Sequence, residues 1–233
     1  MRESSVPVVK DLVLIGGGHT HVAVLKRFGM RPVAGVRLTL ITRDVHTPYS
    51  GMLPGLVAGH YPFDDVHIDL APLSRFAGAR LYHRAAVGLD LDRRQVICDG
   101  RPPVPYDLLS INIGSTPSLR AVPGAAGVVV PVKPISTFVD RWERLRARVA
   151  SAGGSVRIGV VGAGAGGVEI MLAVQHSLRQ MLEELGRAEV PEFHLFGAND
   201  TILVTHNRGM RRRLERVLRE RGVRVHLGQA VAS

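Results

Sequence analysis

The sequence predicts an α/β fold made of two similar units, each running strand, glycine-rich turn, helix, strand. Three observations predict it. Short apolar runs stop at glycine, DLVLI at 11–15 and VRIGVV at 156–161. Each is followed by a stretch with helical apolar spacing and then by another short apolar run. The arrangement also occurs twice, with its glycines beginning at residue 16 and again at residue 162. Continuous apolar strands of this length belong in parallel sheets covered on both faces, and one strand–helix–strand crossover occupies about 30 residues.

Taken in order, residues 11–15 read as a buried strand. Residues 20–30 read as a helix with Val22, Leu25 and Phe28 on one stripe, and VRLTLIT at 36–42 as the second strand. RDVHTPYSGMLPGLVAGHYP reads as a loop with a short helical piece, punctuated by Pro48, Pro54 and Pro62. Residues 79–98 read as two short strands joined by a turn near Leu91-Asp92-Arg93, and YDLLSINIGSTP at 106–117 as a strand running into Gly114. PGAAGVVVPVKP is rich in proline and glycine and reads as the linker. Residues 136–150 form an amphipathic helix with Phe138, Trp142, Leu145 and Val149 at helical spacing. The opening pattern then returns: strand, turn and helix over 156–182, and a strand at 193–199. A helix at 210–222 is closed by Gly222, and a strand follows at 223–228. The expected domains are 1–118 and 119–233.

Bulk properties narrow the classes of function. Of 233 residues 45% are hydrophobic and 21% charged, which suits a packed core and excludes disorder. The formal net charge of +10 allows nucleic acid, membrane headgroups or anionic ligands as partners. Much of that charge lies in RGMRRRLERVLRERG, where Glu215 and Glu220 interleave with the arginines as on a solvated helix face. No aromatic-rich recognition motif accompanies them, which argues against nucleic acid. The single cysteine, Cys98, excludes an internal disulfide and a cysteine-built metal site and fits a reducing cytoplasm. The segment MRESSVPVVKD is short and polar, unlike a signal peptide, and no apolar run nears the ~20 residues that span a bilayer.

The glycines carry the chemistry. Gly162-Ala163-Gly164-Ala165-Gly166-Gly167 satisfies G-x-G-x-x-G after a strand and at the start of a helix. In that pattern Gly162 permits the tight turn, Gly164 lets backbone approach a pyrophosphate, and Gly167 lets helix pack on strand. The helix N-terminus then offers N–H groups to the phosphates. Gly16-Gly17-Gly18-His19-Thr20-His21 keeps the first two glycines, Gly16 and Gly18, and has His21 in the third seat. The lost glycine governs packing rather than phosphate approach, so the turn still reads as a dinucleotide site with a slightly displaced helix. A metal site at His19 and His21 needs further ligands, and no other histidine pairs with them in sequence. Their ordinary role is a hydrogen bond to phosphate or to neighbouring backbone. Neither second strand presents an acid at its tip: one ends Thr42-Arg43-Asp44, the other Phe196-Gly197-Ala198-Asn199-Asp200. For the second site NADH, NADPH and a lost cofactor therefore all stay open.

Two such turns with YDLLSINIGSTP between them resemble the flavoproteins with two dinucleotide-binding domains. These share the glutathione-reductase-type fold of pyridine nucleotide-disulfide oxidoreductases, type II NADH dehydrogenases and sulfide:quinone oxidoreductases. GGGHTH together with HTPYSGMLPGLVAG is similar, more narrowly, to the flavoprotein module fused ahead of selenide, water dikinase in some bacteria and eukaryotes. The resemblance implies FAD on the first turn and NADH or NADPH on the second. It implies roles for Gly16, Gly18, His19 and His21 at the FAD pyrophosphate and for Thr42 and Arg43 at its ribose, where the family's usual Glu is missing. It further implies Thr47, Pro48, Ser50 and Met52 near the isoalloxazine, the backbone of Val87 at adenine, and Gly114 near the FAD phosphates. There the family usually has Ala-Thr-Gly and this chain has Asn112-Ile113-Gly114. Gly162, Gly164 and Gly167 match the NAD(P)H turn, and Glu169 matches a helix glutamate facing the nicotinamide.

Two departures shape the expectation. The family's disulfide reductases carry redox cysteines near Ser50-Gly51-Met52, and this chain has none there. The expected activity is thus an NADH dehydrogenase-like flavin oxidoreductase, passing hydride from NAD(P)H to FAD and on to a small-molecule or quinone-like acceptor without a cysteine relay. Family chains also return from the second domain to the first, so this one reads as C-terminally truncated, and activity of the chain alone is in question. The alternative is a non-catalytic nucleotide-binding module serving a fused or partner selenide, water dikinase, which would set it in selenium metabolism. Remaining expectations are a homodimer, no nucleic-acid partner, no transmembrane segment, and a bacterial cytoplasm or the membrane periphery.

Overall fold

A computed structural model describes residues 7–116, 122–125, 127–152, 154–188 and 190–231. The expected boundary between 118 and 119 lies outside them. In chain order the elements are β1 (Lys10–Ile15), α1 (His19–Met30), β2 (Val36–Thr42), β3 (His46–Pro48), a 3₁₀ turn (Ser50–Met52), α2 (Leu53–Val57), α3 (Phe63–Val66), β4 (His67–Asp69), α4 (Leu70–Phe76), β5 (Arg80–His83), β6 (Ala86–Asp90), β7 (Gln95–Cys98), β8 (Val104–Pro105) and β9 (Leu108–Ile111). Then follow α5 (Ile135–Ser151), β10 (Arg157–Val161), α6 (Ala165–Glu184), β11 (Glu192–Phe196), α7 (Arg208–Glu220) and β12 (Val223–His226). The chain divides into two compact units, one of residues 1–49 and 67–115, the other of 50–66 and 116–233.

The first unit is built on a parallel sheet of order β5-β2-β1-β9. Its strands alternate faces. Leu14, Leu38 and Leu40 pack with Leu25 of α1 and Leu70 of α4 on one side; Val13, Ile15 and Ile41 pack with Val96, Cys98 and Val104 on the other. That second layer is the antiparallel sheet β6-β7-β8. A parallel sheet covered on both faces must be apolar on both, which is why these strands read as unbroken runs. Residues 79–98 hold three strands rather than the two expected. β5 joins the parallel sheet, whereas β6 turns into the antiparallel one, so a single apolar stretch serves two layers.

The second unit carries the parallel sheet β10-β11-β12. Phe193 and Leu195 of β11 are buried with Val168, Met171 and Leu178 of α6 and Leu218 of α7. Phe138, Trp142 and Val149 of α5 join the same core at the helical spacing seen in the sequence, as do Leu53 and Val57 of α2. α7 buries only Leu218 among its residues, so its arginines form a solvated face. No helix of the described residues is long and apolar enough to cross a membrane.

Candidate functional site

The first glycine turn leaves β1 at Ile15 and enters α1 at His19. Gly16 has a φ of +90°, which only glycine adopts without strain, and its N–H donates to the carbonyl of Ile41 at 2.8 Å. Gly18 caps α1, and its N–H donates to the carbonyl of Asn112 at 3.2 Å. The turn is packed from one side by the end of β9. A Cβ on Gly16 would overlap the Asn112 carbonyl, and one on Gly18 would overlap the Asn112 carboxamide.

His21 is fully buried. Its Nδ1 lies 2.6 Å from the carbonyl oxygen of Gly16, and its Nε2 lies 2.9 Å from Oγ of Ser110 on β9. A carbonyl only accepts, so Nδ1 donates; in the neutral ring Nε2 then accepts from the serine hydroxyl. This corrects the expectation that His21 touches a cofactor: both ring nitrogens are spent inside the protein. The alternative weighed alongside it, a bond to neighbouring backbone, is what the structure contains. His19, by contrast, is exposed at the helix start and meets the ring of Tyr49 edge-on at 5.3 Å between centroids. The first turn of α1 holds no acidic residue, so no side chain of that turn offsets the positive helix end where the amides of His19 and Thr20 lie.

The other residues expected at the first site lie around this turn or apart from it. Thr42 is buried at the tip of β2 and donates to the carbonyl of Asp44 at 2.8 Å. Arg43 points its guanidinium to Asp44 at 3.2 Å, and its carbonyl accepts from His83 at 2.8 Å. Gly114, with a φ of +76°, faces open space. Val87 is exposed on β6. Thr47 and Pro48 lie on β3 in the first unit, whereas Ser50 and Met52 lie in the 3₁₀ turn that belongs to the second.

The second turn leaves β10 and enters α6 at Ala165. Gly162, with a φ of +112°, donates to the carbonyl of Phe196 at 2.8 Å. Gly164 caps α6, and a Cβ there would meet nothing within 4 Å. A Cβ on Gly167 would overlap the carbonyl oxygen of Gly162, so the helix approaches the turn as closely as glycine allows. The loop after β11 is tied to the turn by Leu203 N–H donating to the Ala163 carbonyl at 2.9 Å. The first turn of α6 carries no acidic residue, and Glu169 follows it on an exposed position. An anionic group fits here: open space over Gly164 at the positive end of a 20-residue helix.

Sequence reasoning missed Ser110 and the structural part of Asn112. Neither had a motif to announce it; the only signal was that a buried histidine in a glycine seat requires two partners. Among the described residues no group of three or more His, Cys, Asp or Glu side chains is arranged to hold a metal ion. Cys98 is a buried free thiol; burial pushes its pKa up, with nearby Arg101 acting in the opposite direction.

Two parallel-sheet units, each with a glycine turn at the N-terminus of a helix, define an α/β protein of the doubled dinucleotide-binding type. The chain matches the pyridine nucleotide-disulphide oxidoreductase family over residues 10–233 and belongs to it. It is 25% identical over 222 residues to the NADH dehydrogenase-like protein YutJ of Bacillus subtilis (strain 168), covering 93% of this chain and 57% of that protein. Its fold superposes on NDH2 from Plasmodium falciparum in complex with NADH with a TM-score of 0.80 at 13% identity, covering 94% of this chain and 48% of that one. It superposes on the sulfide:quinone oxidoreductase of the hyperthermophilic bacterium Aquifex aeolicus with a TM-score of 0.71 at 21% identity, covering 97% and 52%. The chain thus spans about half the length of the proteins it resembles.

Proposed function

We propose that the first unit binds FAD, that the second binds NADH or NADPH, and that the chain serves an NADH dehydrogenase-like oxidoreductase working without a cysteine relay. The observation that carries this reading is the second turn. Gly164 opens to free space at an unopposed helix N-terminus, while Gly167 holds the helix against the Gly162 carbonyl. On the first unit the amides of His19 and Thr20, with Gly114, would receive the FAD phosphates, and Gly16 and Gly18 shape the turn that presents them. Thr42 and Arg43 would border the ribose and the backbone of Val87 the adenine; Pro48 would lie near the isoalloxazine. Glu169 would face the nicotinamide. The flavin, when bound, supplies hydride acceptance and onward electron transfer, and the protein supplies position and electrostatics. The acceptor is read as quinone-like or a small oxidant. The burial of Cys98, which pushes its thiol pKa up, supports the reading without a thiolate relay.

A second reading, a non-catalytic module serving a selenide, water dikinase, is supported by GGGHTH and HTPYSGMLPGLVAG occurring together. The test is the visible spectrum of the purified chain and its reduction without oxygen. A flavin spectrum bleached by NADH or NADPH, with Gly164→Val retaining the flavin but losing the bleaching, supports the first reading. Bound flavin that neither nucleotide reduces supports the second.

A further inference from the structure

We infer that the second turn accepts NADPH as readily as NADH, because the strand tip beside it is built to exclude a carboxylate. The inference rests on the reading of that turn as a pyridine-nucleotide site and adds its selectivity. In NAD sites of this architecture an acidic side chain at the tip of the second strand accepts hydrogen bonds from the ribose hydroxyls, and its charge repels a 2′-phosphate.

The hydrogen bonds locate that tip in both units. Gly16 donates to Ile41 and Gly162 donates to Phe196, each at 2.8 Å, so Thr42 and Gly197 occupy equivalent positions one residue further on. Gly17 and Ala163 are likewise equivalent, as the middle residues of the two turns. In the first unit the tip carries a side chain and the turn is small: Oγ1 of Thr42 lies 3.4 Å from where a Cβ on Gly17 would stand. In the second unit the sizes are exchanged. A Cβ on Gly197 would lie 2.7 Å from Cβ of Ala163 and 3.0 Å from Cδ2 of Leu227. The 2.7 Å approach to Ala163 is closer than real Cβ atoms come, so position 197 has no room for a side chain and presents no carboxylate.

Asp200, the next acid along the chain, does not replace it. The Asn199 carbonyl accepts from Gly228 N–H at 3.0 Å, and Oδ1 of Asp200 lies 3.0 Å from where a Cβ on Gly228 would stand. Gly228 follows β12, and β12 pairs with β11 on the side away from β10 and its turn. The Asp200 carboxylate therefore sits a strand beyond the ribose corner. With no fixed negative charge at the tip, the penalty that separates the two nucleotides is absent.

Titration calorimetry of the full chain with NADH and with NADPH tests this. The expected dissociation constants agree within about tenfold, that is within about 1.4 kcal/mol. Binding of NADH more than about a hundredfold tighter than NADPH overturns the inference while leaving the site in place. Binding of neither overturns the site reading and the inference with it. A pair of variants checks the cause. Gly197→Glu alone overlaps Ala163 and lowers the melting temperature. Ala163→Gly with Gly197→Glu reproduces the first unit's arrangement, and the folded double variant should lose about tenfold or more in NADPH affinity relative to NADH. An unchanged ratio in that double variant, with its circular dichroism intact, contradicts the proposal.

Discussion

The two glycine turns solve one packing problem in opposite ways. In each, the carbonyl of the first glycine points at the third seat of the motif. In the second turn that seat is Gly167, and the bare Cα lies against the Gly162 carbonyl, where any Cβ would overlap it. In the first turn the seat holds His21, and its imidazole donates to the Gly16 carbonyl at 2.6 Å. One turn brings the helix in until van der Waals contact satisfies it. The other holds the helix a side chain away and fills the gap with a hydrogen-bonded ring. The ring's second nitrogen needs a partner, and Ser110 of β9 supplies it. A third glycine is therefore one way to seat the helix, and a buried, doubly bonded histidine is another.

The largest expected effect comes from trying to exchange the two solutions. Gly167→Ala drives a Cβ into backbone that cannot yield, and we expect a loss of about 3 kcal/mol or more in the second unit. His21→Ala leaves the half-buried Ser110 hydroxyl without its ring partner and a cavity behind, and should cost about 2–4 kcal/mol in the first. Urea unfolding followed by circular dichroism measures both. Were His21→Ala neutral, the imidazole would be filling space without holding the turn.

A smaller difference concerns the second glycine. The first turn lies beside β9, whose last residues bring Asn112 over Gly16 and Gly18; among the described residues no strand pairs with the outer edge of β10. Gly18 thus faces a carboxamide, whereas Gly164 faces open space. Gly18→Ala should cost about 1–3 kcal/mol of stability and Gly164→Ala less than about 0.5. If both cost the same, packing against Asn112 does not explain the glycine at 18, and closeness to a ligand becomes the common reason.

These contrasts also mark what the sequence could reveal. The strands 11–15 and 36–42 and the helix 136–150 were legible because burial on two faces, or on one stripe, writes itself into local spacing. GAGAGG was legible because each glycine answers a local steric demand. His21 was not legible in the same way. In the motif it is a missing glycine, and the hydroxyl that completes its role lies 89 residues away on another strand. Residues 79–98 misled because one apolar stretch feeds two sheets, and apolar spacing does not say which. α4 carries a local signal in the sequence: Asp69 caps it by accepting from the Ala71 N–H at 2.8 Å, and an aspartate ahead of an apolar run is a readable helix start. The exchange of Thr42 and Gly17 for Gly197 and Ala163 is present in the sequence, but only the hydrogen bonds of the two turns pair these positions.

The smallest expected effect tests what holds β9 in place beside the first turn. Asp107, just before β9, accepts from the Asp11 N–H at 2.7 Å and returns its own N–H to the Asp11 carbonyl at 2.9 Å. Lys10 lies 3.5 Å from the same carboxylate. The Asp11 hydrogen bond, against some desolvation and with help from Lys10, holds the Asp107 carboxyl below its ordinary pKa. A pKa lowered by folding means the ionised form is favoured in the folded chain. The contribution is therefore present above the unfolded value of about 3.9 and is lost as pH falls through the lower, folded one. The gap in melting temperature between the wild type and Asp107→Asn should thus be open at pH 7 and should narrow as pH falls below about 4. The side chain is solvent-facing, so the gap is small. A gap that does not change with pH would mean that the asparagine disturbs the β1–β9 junction by shape alone. In that case the charge on Asp107 contributes nothing to the strand that carries Ser110 and Asn112 to the turn.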